Sequence, residues 1–270
     1  MNKPMLKVWL LAAVTLLAGC ATSPTGRHQL MLVSEEQAIS ASRQAYVQTI
    51  GELQQQGRIS SDPMLRTRVN EIAGRLVAQA VQMRPDTRNW EWDIEIIDDP
   101  ETVNAWAMAG GKMALYTGLI DKVEPTDDEL AQVLGHEISH ALAKHSAERM
   151  SMAIATQLGV IAVGAASSNP ARDVTLAEIA AQLAINLPNS RTAETEADRI
   201  GIELAAKAGY DPRAAATLWR KMGQLDDNGR PPQFLSTHPA PANREQVLIT
   251  LAPQMMIFYQ RPGPRPTYPL

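Results

Sequence analysis

Positive charge, cysteine and aromatic side chains are all scarce in this sequence, and each shortage removes a class of protein. Lys and Arg total 25 against 29 Asp and Glu, for a formal net charge of -4 and a pI near 5.8. No basic face is implied, so no nucleic-acid partner is expected. The single cysteine, Cys20, has no partner for an internal disulfide. Aromatics make up 4% while Ala and Leu are plentiful, which favours helix. No internal repeat is visible, so no solenoid module is expected. The most apolar internal stretch, 152–166, is short for a span of ~20 residues and is interrupted by Gln157, so it reads as a buried helix. With 270 residues, 45% hydrophobic and 20% charged, the chain reads as an ordinary globular protein with a sizeable core.

The first residues have the parts of an export signal: Lys3 and Lys7, an apolar run from Val8 to Ala18, then small residues. Leu17-Ala18-Gly19-Cys20 resembles the bacterial lipobox, in which the thiol is acylated and the chain is cut before it. Residues 1–19 are therefore expected to be a lipoprotein signal peptide and 20–33, including His28, a lipidated tether. A diacylated or triacylated cysteine carries enough chains for stable anchoring. Ala21 after the cysteine, rather than Asp, resembles the sorting pattern for the periplasmic face of the outer membrane.

Two helices are expected next, from Ser34 to about Gln56 and from Ser61 to about Met83, the second opened by Asp62-Pro63. Leu65, Val69, Ile72, Leu76 and Val77 give the second an inward face. Trp92-Asp93-Ile94-Glu95-Ile96 alternates as a strand does. The runs 103–108 and 112–116 flank Gly110-Gly111 and read as a hairpin. The expected fold is α+β and predominantly α-helical, with a small sheet at about 92–117 ahead of a helical remainder. The folded unit is placed at 34–255, and a proline-rich, irregular tail at 256–270.

The chemistry centres on His136-Glu137-Ile138-Ser139-His140. Thr126 caps its helix, with Glu129 completing a capping box, so the motif lies in mid-helix. Histidines four apart are about 40° apart around the axis, so both imidazoles reach one Zn²⁺ at ~2.0–2.1 Å. Glu137 projects beside them, placed to hold a water at the metal and take its proton. On the assumption of one continuous helix, His145 falls on the opposite side and is excluded as a ligand. Downstream, Glu194 and Asp198 are one turn apart on an alanine-rich helix. They read either as site carboxylates or as a solvated acidic face.

HExxH followed by Ser190-Arg191-x-x-Glu194-x-x-Ala197-Asp198 resembles the HtpX/Oma/CAAX-prenyl-protease family of zinc metallopeptidases, and its small periplasmic lipoprotein members in particular. The resemblance implies a zincin-like metallopeptidase domain and one Zn²⁺ per chain. It makes Glu194 the third ligand and Asp198 the group that orients a liganding histidine. Asn104-Ala105-Trp106-Ala107 with Gly110-Gly111 is similar to the family's substrate-binding edge strand. Thr237-His238-Pro239 with Arg244 is similar to its C-terminal element. There His238 either stabilises an oxyanion or occupies the metal's open position, and Arg244 stabilises the same charge or braces the loop.

The implied activity is hydrolysis of unfolded or misassembled envelope proteins, with unfolded polypeptides, the membrane and possible outer-membrane assembly machinery as partners. The alternative is a non-hydrolytic, chaperone-like quality-control factor with a latent zinc site. The anchor is tested by fractionation: Cys20→Ala is expected to leave the membrane fraction, and membrane partitioning equal to the parent would sink the lipid assignment.

Overall fold

The computed structural model describes residues 20–166, 187–225, 232–239 and 243–270; the expected signal peptide lies outside the described residues. A short antiparallel hairpin, β1 (Cys20–Thr22) and β2 (His28–Leu30), comes first. Helices α1 (Glu35–Gln55) and α2 (Pro63–Met83) follow. Asp62 caps α2 by accepting from the backbone N–H of Met64 and Leu65, and Pro63 sits where no intrahelical N–H is needed.

After a 3₁₀ turn (Pro85–Asn89) come β3 (Asp93–Ile97), β4 (Ala105–Met108) and β5 (Lys112–Tyr116). The three form one sheet in the order β3-β5-β4, with β5 parallel to β3 and antiparallel to β4. The expected sheet and its hairpin are thus present. Gly110 and Gly111 turn the hairpin at φ 82° and 80°. Among the described strands β4 lies at the sheet's edge.

The helical part comprises α3 (Thr117–Val123), α4 (Asp127–Leu142), α5 (His145–Ala166), α6 (Leu187–Ala208), α7 (Ala214–Gln224), α8 (Gln233–Thr237) and α9 (Arg244–Tyr259). The capping box at the start of α4 is formed as expected. Its Glu129 also accepts from Lys221 Nζ at 2.7 Å and Thr217 Oγ1 at 2.9 Å, which ties α4 to α7. The main core joins α2, the sheet, α4 and α6 through Leu76, Ile96, Leu115, Leu134, Ile138 and Leu204.

Three expectations are revised. The stretch 152–166 is helical, but its described side chains are not buried: Ile154 is 42% and Leu158 59% exposed. Its apolar composition does not dictate burial. No helix among the described residues is long and apolar enough to cross a membrane. The irregular tail starts after Tyr259 and not at 256, because α9 continues to that residue, and it docks: the Tyr268 N–H donates to the Gly74 carbonyl at 2.9 Å. Within 20–33 the hairpin folds back on the domain, as Arg27 pairs with Glu148 and Glu196.

At the centre, α4 and α6 cross at glycines. A Cβ on Gly201 would meet His136 N at 2.9 Å, and one on Gly135 would meet Gly201 O at 3.0 Å. Helix propensity alone favours Gly→Ala by ~1 kcal/mol. The clash with rigid backbone reverses the sign: Gly201→Ala is expected to lose about 1–3 kcal/mol in urea unfolding, and a stabilised variant would refute the close approach.

Candidate metal centre

α4 presents His136 and His140, α6 presents Glu194, and the residue after α8 is His238; all four are buried and one ligand atom from each lies within 4.8 Å of the others. The separations are shorter at specific pairs. His136 Nε2 is 3.1 Å from His140 Nε2 and 3.3 Å from His238 Nδ1. Glu194 Oε2 is 3.1 Å from His136 Nε2, and Glu194 Oε1 is 3.3 Å from His140 Nε2.

These contacts do not behave as a satisfied hydrogen-bond network. Glu194 Oε2 and Glu137 Oε1 are buried with no hydrogen-bond partner, although imidazole nitrogens lie within 3.1–3.3 Å of them. Nitrogen and oxygen atoms converge on one point, at spacings close to the ~3.3 Å edge of a tetrahedron with ~2.0–2.1 Å metal bonds. A nitrogen-and-carboxylate donor set of this kind fits zinc.

Electrostatics agree. Burial pulls His136 down, but Glu194 and Asp198 outweigh it and hold its imidazolium up to about 9. Burial would raise the Glu194 carboxyl, and the surrounding histidines instead hold it far below the usual carboxylate range. The cluster thus favours a positive charge at its centre. Burial drives His140 well below its ordinary value, leaving the neutral imidazole that a metal requires.

Behind the donors lies a second layer of contacts. His136 Nδ1 is 3.0 Å from Asp198 Oδ1, so a cation that replaces the proton on Nε2 would meet the lone pair facing the cluster. Asp198 accepts from Arg244 Nε at 2.6 Å, and the Arg244 guanidinium stacks 3.5 Å from the centroid of the Trp219 ring. That geometry has Arg244 bracing Asp198; Trp219 was missed in the sequence, where an aromatic on an amphipathic helix has no distinguishing signal.

Glu137 is buried beside the donors, between β4 and His238. Its Oε2 accepts from the Ala107 N–H of β4 at 3.1 Å, and Oε1 is 3.3 Å from His238 Nε2. Burial pushes the Glu137 carboxyl up, toward the range of a general base. Of the residues assigned to substrate, Asn104 and Ala105 are buried at the start of β4. Trp106 packs edge-on to Tyr46 at 5.9 Å, and Gly110 lies in the turn beyond.

His145 lies outside the donor set, though not for the reason spacing suggested. The helix stops at Leu142, Lys144 takes φ 60°, and His145 starts α5 turned back toward His140. His28 is exposed in β2.

A small sheet whose edge strand lies beside a helix bearing HExxH, with a glutamate from a second helix, defines a zincin-type metallopeptidase domain. The family model for "Peptidase family M48" matches residues 61–252, and the chain belongs to that family. It is 33% identical over 244 residues to "Metalloendopeptidase OMA1, mitochondrial" of Bos taurus, covering 86% of this chain and 46% of the relative. The human protein of the same name is 34% identical, with 86% and 45% covered. The "Beta-barrel assembly-enhancing protease" of Escherichia coli (strain K12) is 30% identical over 192 residues, with 68% and 38% covered. The chain therefore spans less than half the length of these relatives.

Removing the carboxylate behind His136 tests the site's construction. Asp198→Ala is expected to lower zinc affinity ~10–100-fold in competition with a chelator, and an unchanged affinity would refute that role.

Proposed function

We propose that this chain is a zinc-dependent endopeptidase, lipid-anchored through Cys20 on the periplasmic face of the outer membrane, that hydrolyses unfolded or misassembled envelope proteins. The observation that carries the reading is the position of Glu137. It is a buried carboxylate with one oxygen fixed by Ala107 and the other unpartnered beside the donor cluster. A purely structural metal site has no use for such a group.

His136, His140 and Glu194 would hold the zinc. The chemistry a bound zinc supplies there is polarisation of the scissile carbonyl and a lowered water pKa. Glu137 Oε1 takes the proton from the attacking water and returns it to the leaving amine. Asp198 and Arg244 keep His136 in the tautomer that faces the site.

Substrate is proposed to lie extended beside β4. Tyr116 N–H donates to the Asn104 carbonyl at 3.1 Å, so Asn104, Trp106 and Met108 pair with β5. The backbone groups of Ala105 and the Ala107 carbonyl then point away from the sheet, where an added strand would bond, while the Ala107 N–H is held by Glu137. Recognition through backbone selects accessible, unfolded chain over any one sequence. The name of the Escherichia coli relative supports a role in β-barrel assembly, while the lipobox-like Leu17 to Cys20 supports a bacterial envelope over the mitochondrial setting named for the other relatives.

His238 brings its ring into the place of a fourth donor, and a closed set of four is the arrangement of structural zinc, not catalytic zinc. It stands at the end of the five-residue α8, whereas the other donors ride on helices of 16 and 22 residues. His238 is therefore proposed as the donor that must leave before substrate enters.

The test is cleavage of unfolded casein with bound zinc quantified in each preparation. Glu137→Gln is expected to keep zinc and lose activity by ~10²-fold or more, while His238→Ala raises the rate. Full zinc with no cleavage by the parent or by His238→Ala would favour the non-hydrolytic reading.

A further inference from the structure

Each histidine of the HExxH motif has a nitrogen turned away from the donor cluster. That of His136 reaches Asp198 and Arg244. That of His140 reaches something the spacing of the motif does not announce: His140 Nδ1 lies 2.8 Å from His145 Nδ1, and His145 Nε2 lies 3.2 Å from Glu196 Oε2. The protons balance in one way only when His140 Nε2 faces the metal. His140 Nδ1–H donates to His145 Nδ1, and His145 Nε2–H donates to Glu196.

Glu196 is in turn held by the N-terminal hairpin. Arg27 Nε donates to Glu196 Oε2 at 2.9 Å, and Thr25 Oγ1 donates to Oε1. Arg27 also grips Glu148 through Nη1 and Nη2, both at 2.6 Å. Gln29 Nε2 joins Glu148 to the Ala143 carbonyl, at 2.9 and 2.8 Å, across the break between α4 and α5. The side chains of His145 and Glu196 are 2% and 3% exposed, so their contacts are shielded from water.

We propose that His145, Glu196 and Arg27 are positioning residues of the metal centre, which fix the tautomer and ring orientation of His140 and make the lipidation-proximal hairpin a working part of the site. The inference rests on His136, His140 and Glu194 being the zinc ligands. It adds that metal affinity depends on residues that follow the anchored cysteine directly in sequence. The two liganding histidines are then supported alike, each through a ring N–H that ends on a carboxylate gripped by arginine. On the His140 side the arginine comes from 23–29, outside the 61–252 region of the family match.

The test uses the full chain and reads zinc dissociation constants by chelator competition, with the visible spectrum of the Co²⁺-loaded protein as a report on ligand geometry. His145→Ala is expected to weaken zinc ~10–100-fold and alter the Co²⁺ bands. His145→Asn, which keeps an acceptor near the Nδ1 position, recovers part of the affinity. Glu196→Gln and Arg27→Ala shift affinity in the same direction by less, and they carry the test if His145→Ala fails to fold. Parental affinity and Co²⁺ spectrum in His145→Ala would overturn the proposal, as would equal losses in the Ala and Asn variants. His136→Ala run in parallel separates the two levels. If it too retains parental affinity, the ligand assignment itself has failed; if it alone loses zinc, the ligands stand and the positioning chain falls.

Discussion

Where α4 crosses α6, Gly135 and Gly201 face one another, and a methyl group on either would meet opposing backbone at 3.0 or 2.9 Å. Two histidines on one helix make half a tetrahedral site. The remaining protein donor must come from another helix, and glutamate carries its carboxylate only a short way from its own backbone. Packed helices ordinarily stand 8–10 Å apart. A crossing of bare backbones sits at the near end of that range, and it lets Glu194 reach His136 and His140 on α4. Moving the helices apart would separate the donors and also lift Asp198 from behind His136. The same two glycines thus set the metal site and its support.

That proximity concentrates carboxylates and imidazoles in a part of the protein with little water. Each such group is costly to bury alone and acceptable when paired. Asp198 has Arg244, and Arg244 has the face of Trp219. Glu196 has Arg27 and His145. Glu194 and Glu137 alone among these carboxylates each keep an oxygen with no hydrogen-bond partner, and both oxygens border the donor cluster. The support is saturated while the centre keeps two carboxylate oxygens unpaired, an arrangement that favours a bound cation.

Much of this was legible in the sequence because the decisive features are local. The capping box Thr126/Glu129 and the apolar face Leu130, Leu134, Ile138 predict the helix of the motif, and Gly110-Gly111 predicts the turn of the hairpin. What was not legible depends on long-range contact. Lys144 in a left-handed conformation ends the helix early and redirects His145; lysine carries no signal for that, unlike glycine or asparagine. Arg27 read as part of a tether and Glu196 carried no signal of its own, because nothing local relates positions 169 residues apart. The stretch 152–166 was judged by composition, which says how apolar a helix is and not whether a neighbour exists to cover it.

The proposed base and the proposed substrate track share one piece of backbone. Ala107 N–H holds Glu137, and Ala107 belongs to the edge strand along which an added chain would pair. Strand pairing repeats every second residue, so a substrate docked on β4 has its peptide groups placed relative to Glu137 by main-chain register alone. A slip by one residue would turn its bonding groups away from Ala105 and Ala107, leaving the edge unpaired. Selectivity in such a site is geometric: a chain must be extended and free of its own sheet partners to fit. A folded protein satisfies neither condition.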